Sequence, residues 1–79
     1  MSDDAKKVYN QLSDTAKKEH SVAWSRVEAH VTKLANTPKA KVFEVHHAIE
    51  YARELYHAEL SKGLPADLCE KAVMQAYKE

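Results

Sequence analysis

Breaks are the scarcest feature of this chain: its 79 residues include one glycine and two prolines. A chain so poor in turn formers must spend most of its length in long regular elements. The strongest break is Asn36-Thr37-Pro38, where Thr37 can cap a helix and Pro38 can take its first position at no cost in hydrogen bonds. The second is Gly63-Leu64-Pro65. There Gly63 supplies the left-handed residue that closes a helix, and Leu64 must be extended because a proline follows. Ser13-Asp14 is a third break, made of two good capping residues.

The apolar period between these breaks is helical. Ala5, Val8, Tyr9 and Leu12 recur at one, four, five and eight, and the pattern resumes with Ala16, Ala23, Trp24, Val27, Val31 and Leu34. One fused helix over residues 3 to 35 would be about 50 Å long and leave a core open at one end, so two helices are expected. A third helix is expected from Pro38 to Lys62, with Val42, Val45, Ala48, Ile49, Ala52, Leu55, Tyr56 and Leu60 facing the core. A short strand over Lys41–Val45 would have no partner. The last helix is expected from Pro65 to about Lys78, with Leu68, Cys69, Ala72, Val73 and Ala76 on one side. The fold expected is all-α, a small bundle of three to four helices forming one domain over residues 1–79.

Size and composition narrow the function. Apolar residues make up 44% of the chain, enough for one small core. A domain this short buries only about 60% of its unfolded surface, which favours stabilisation by a partner or by a second copy of itself. The single Cys69 excludes an internal disulfide and a cysteine-based structural zinc site. No stretch approaches the ~20 apolar residues of a membrane span, and the acidic start has no signal-peptide character, so a cytoplasmic protein off the membrane is expected.

Five histidines invite a test for metal. Glu44-Val45-His46-His47 and Glu54-Leu55-Tyr56-His57 both have the Glu-x-x-His spacing of carboxylate-bridged di-iron bundles. Both fall on one expected helix, about 15 Å apart along its axis, so one chain cannot bring them to a shared metal. A metal-binding dimer is the only form this reading can take. Catalytic motifs fare no better: the chain lacks a glycine-rich phosphate loop, a nucleophile elbow and a His-Glu-x-x-His motif. Cys69 lies on the apolar side of its helix, as a buried inert thiol would. The chain is read as non-enzymatic, with no cofactor and no metal site.

Charge separates along the chain. Residues 1–41 hold eight Lys/Arg and five Asp/Glu, a balance of +3, while residues 42–79 hold four and seven, a balance of −3. Lys6, Lys7, Lys17, Lys18, Lys33, Lys39 and Lys41 give a modest basic patch, and DNA binding through this half is an alternative function. A net charge of zero makes it the less favoured one, and the helix after Gly63-Leu64-Pro65 sets Asp67 and Glu70 against Lys71 and Lys78.

His20-x-Val22-Ala23-Trp24-x-x-Val27 resembles the signature of the ChaB-like family, small proteins of bacteria and some viruses, and Ala5-x-x-Val8-Tyr9 is similar to another of its segments. The resemblance covers residues 5–27. It implies a small, mostly helical, non-enzymatic protein, loosely described as a cation-transport regulator, with Trp24 as a fold-defining residue.

The function expected is therefore that of a small regulator or inhibitor docking on a larger protein. His46, Glu50, Arg53 and His57 form a polar strip of the third helix, outside its apolar arc, and the histidines titrate near neutral pH. Phe43 and Tyr51 lie at or beyond the margin of that arc, where exposed aromatics mark contact surfaces. These six are the expected partner-binding residues. Trp24 is expected to anchor the core.

Overall fold

A computed structural model describes residues 3–77. Lys78, the expected end of the last helix, falls outside them. Every regular element among the described residues is a helix: α1 (Asp3–Gln11), α2 (Asp14–Ala35), α3 (Val42–Ser61) and α4 (Ala66–Ala76). The first two are separate. Ser13 is extended (φ −66°, ψ 162°), and its hydroxyl accepts the Ala16 N–H as an N-cap. That bond satisfies one of the donors a helix start leaves open, and the extended residue redirects the chain between α1 and α2.

The break at Asn36-Thr37-Pro38 works differently from the expected one. The Ala40 N–H donates to the Thr37 carbonyl at 3.0 Å, closing a single turn in which Pro38 holds the second position. The φ that suits proline to a helix start suits it equally to this turn. α3 begins four residues later, after Lys41, whose N–H donates to the Glu44 carboxylate at 3.4 Å. At Gly63-Leu64-Pro65, Gly63 has φ +81°, and its N–H donates to the Leu60 carbonyl at 2.8 Å, as a left-handed helix closure requires.

α2, α3 and α4 each pack against the other two, and α1 packs on α3. Their shared core is built from small side chains: Ala23, Val27 and Val31 from α2, Ala52 and Leu60 from α3, Ala66, Cys69 and Val73 from α4, and Ala5 from α1. Tyr56 is the one aromatic among them. Side chains this short let the helix axes approach closely. Trp24 packs against this core and is only partly buried, so it borders the interior instead of anchoring it.

Three residues expected to face the core do not. Val42 is 74% exposed because it opens α3 at the bundle's end. On α4 the buried side runs through Ala66, Cys69 and Val73. That line turns Leu68, about 100° from its neighbour Cys69, outward, and it leaves Ala76 exposed at the helix end.

A Cβ at Gly63 would meet nothing within 4 Å, so only the backbone resists substitution there. Gly63→Ala should cost about 1–2 kcal/mol, read as a lower urea midpoint with unchanged helical circular dichroism.

Candidate functional site

The six expected contact residues all lie on α3, and the structure divides them among three places. Phe43 is 65% exposed beside the start of the helix, with the Lys41 ammonium 6.0 Å from its ring centre. His46 and Glu50 are exposed on the same side. Arg53 and His57 continue that strip toward α1 and α2. Arg53 pairs with Glu50 at 3.1 Å, and its guanidinium sits 5.5 Å from the Trp24 ring centre. Tyr51 stands apart. At about 100° per residue the other five fall within an arc of about 80°, and Tyr51 lies about 80° beyond its edge. It is 53% exposed, with its ring 6.3 Å from that of Tyr77.

The lower half of the strip opens on a hollow of about 190 Å³. α1 contributes Tyr9, α2 contributes His20, Ser21 and Trp24, and α3 contributes Tyr56, His57 and Leu60. At its base is a buried polar pair: His20 Nδ1 lies 2.8 Å from Tyr56 Oη, and the Tyr56 hydroxyl donates to the His20 carbonyl at 3.3 Å. His20 is only 4% exposed. Burial holds its pKa below the ordinary histidine value, with the charge of Glu19 opposing that shift. Burial likewise lowers His57, helped by the Arg53 charge. It raises the Tyr56 hydroxyl well above the usual phenol range. All three groups are therefore held neutral at pH 7. Trp24 and Tyr56 meet edge to face, with ring centres 5.7 Å apart, and Lys17 stands 5.6 Å from the Tyr9 ring centre.

A larger trough, about 420 Å³, lies on the other side of α2 against the start of α4. Its walls mix opposite charges, with Lys18 and Arg26 facing Glu19 and Asp67, and Arg26 is engaged by Glu70 at 2.6 Å. The smaller hollow gathers the aromatic rings and imidazoles, and it is the site with distinctive chemistry. The expected contact set includes only His57 of its lining. One signal for the rest is in the sequence: His20 lies four residues after Ala16 and four before Trp24, squarely on the apolar stripe of α2.

Among the described residues, no group of three or more His, Cys, Asp or Glu is placed to hold a metal ion, and no helix is long and apolar enough to cross a membrane. No family model, curated protein or solved structure matches this chain.

Because the unfolded chain protonates His20 and His57 more readily than the folded one does, acid favours unfolding. Stability should be level above the ordinary histidine value of 6.5 and fall as pH drops below it toward the lower folded values. Urea midpoints at about pH 7.5 and about pH 5 measure this, and the midpoint at the acid end should be the lower. Tyr56→Phe should cost about 1–3 kcal/mol at neutral pH, since it deprives a buried imidazole nitrogen of its partner; an unchanged midpoint would remove the pair from the forces that hold the bundle.

Proposed function

We propose that this chain is a small non-enzymatic regulator or inhibitor that acts in the cytoplasm by docking on a larger protein through the outward face of α3. The observation that carries the reading is the exposure of Val42, Phe43 and Tyr51, at 74%, 65% and 53%, on one helix. Large apolar side chains this open are costly to leave in water; Val42 and Phe43 open the helix, Tyr51 stands about two turns further along it, and a partner lying along α3 would cover them. Lys41 stands against Phe43, Arg53 pairs with Glu50, and Glu44 and Glu54 are exposed on the same helix, so the complementary surface is an apolar recess bordered by charges of both signs. Aromatic rings set among charged groups are the usual makings of a binding hot spot. The resemblance of residues 5–27 to the ChaB-like family points the same way, toward a small helical protein without catalytic residues.

The test compares the unmodified chain with Phe43→Ser, Tyr51→Ser and the double variant in affinity capture from native lysate, followed by reconstitution of the captured protein with the purified chain. Phe43 belongs to no part of the core, so its substitution should leave helical circular dichroism unchanged. Capture should weaken by about tenfold or more in the single variants and disappear in the double variant. A partner retained equally by the double variant would exclude this surface.

A further inference from the structure

We propose that two copies of this chain exchange α1: in each copy α1 and α2 join into one continuous helix, and α1 packs on α3 of the other copy. The partner is a second copy, and the docking surface is the side of α3 that α1 covers within one chain. Val42, Phe43 and Tyr51 are exposed, so they lie outside that surface and the inference is independent of the docking reading above. The attachment of α1 is the first ground. α2, α3 and α4 each pack against at least two other helices, whereas α1 has its packing on α3. That packing buries Ala5 fully and sets Val8, Tyr9 and Leu12 partly buried against the core. The same contact forms when α1 comes from another copy, because every side chain in it is identical.

The slightness of the break between α1 and α2 is the second. Neither glycine nor proline stands anywhere in residues 1–37. The side-chain tie at the break is an exposed bond, from the Ala16 N–H to the Ser13 hydroxyl at 3.1 Å. A helix continued through Leu12 and Ser13 replaces it with about four backbone bonds, from the N–H groups of residues 13–16 to the carbonyls of residues 9–12. The Lys17 N–H already donates to the Ser13 carbonyl at 2.9 Å, as the continued helix requires.

The helical phase is the third. The buried residues of the two helices are Ala5 on α1 and His20, Ala23, Val27 and Val31 on α2. At about 100° per residue counted straight through the break, all five fall within an arc of about 80°. One joined helix therefore keeps a single buried face from end to end. In a lone chain this helix lifts α1 off α3 and leaves both apolar faces in water. Between two copies each face is covered again, and the Lys17 contact with a Tyr9 ring is restored from the other copy. Each copy gives one α1 and receives one, so the assembly closes as a twofold dimer and grows no further.

Sedimentation of the intact chain and nuclear magnetic resonance on its dimer test the exchange. The unmodified chain should dimerise with a Kd of about 1 mM or tighter. Ser13→Ala removes the cap from the separate helices in both copies and favours the continuous one, so it should tighten the dimer by about thirtyfold. Ser13→Gly still caps and weakens a helix interior, so it should not tighten it. In a dimer formed from an equal mixture of isotope-labelled and unlabelled chains, nuclear Overhauser contacts between α1 and α3 should pass from labelled to unlabelled chains. The proposal is overturned if the unmodified chain and Ser13→Ala both stay monomeric at about 1 mM, if the α1–α3 contacts of the dimer remain within one chain, or if Ser13→Gly tightens the dimer as much as Ser13→Ala.

Discussion

Tyr56 is the largest side chain in the interior of this bundle, and it brings a hydroxyl into a buried place. Everything near it is arranged around that fact. The other buried residues are alanine, valine, leucine and cysteine, which offer a phenol no strong acceptor. His20, from the neighbouring helix, provides both a ring nitrogen and a backbone carbonyl. The pair joins α2 to α3 across 36 positions of sequence, and a directional contact of that kind selects one register where short aliphatic side chains alone would tolerate several. Trp24 meets Tyr56 edge to face and borders the hollow beside the pair.

A second polar tie closes the far end of the bundle. The Tyr77 hydroxyl donates to the Ala48 carbonyl at 3.0 Å, and His30 Nε2 donates to the Tyr77 carbonyl at 2.7 Å. One residue just past α4 thus holds α3 by its side chain and α2 by its backbone. Burial raises the Tyr77 hydroxyl above its usual range, and proximity to Tyr51 adds to it, so it stays a donor throughout the neutral range. Ala48 is the last α3 position that this tie reaches toward the N-terminal end. Val42 and Phe43 lie a turn or more beyond it, and they are the most exposed large apolar side chains among the described residues.

Much of this architecture was legible in the sequence because helical period and capping chemistry are local. Ser13 and Gly63 mark real boundaries since each satisfies a backbone need that its own side chain, or lack of one, determines. Pro38 misleads because a helix start and an isolated turn ask for the same φ, and only the following residues decide between them. The apolar side of α4 differs from the expected one because Leu68 and Cys69 are adjacent and both apolar, and a short helix offers too few turns to say which one faces inward. The candidate site was less legible than the fold. His20 is hard to pick out because imidazole counts as polar, although its position matches the buried stripe of α2. Phe43 and Tyr51 are both exposed on α3, yet Tyr51 leans toward Tyr77, a neighbour 26 positions away that no local pattern could supply.

Cys69 has a practical meaning that follows from its surroundings. It is fully buried, its sulfur donates to the Leu64 carbonyl at 3.6 Å, and burial pushes its pKa to about 11. A thiol in that state reacts with an alkylating reagent only when the helices part. The molecule therefore carries its own counter of opening events. The rate at which a maleimide consumes this sulfhydryl measures how often the bundle breathes, with no label to be engineered in.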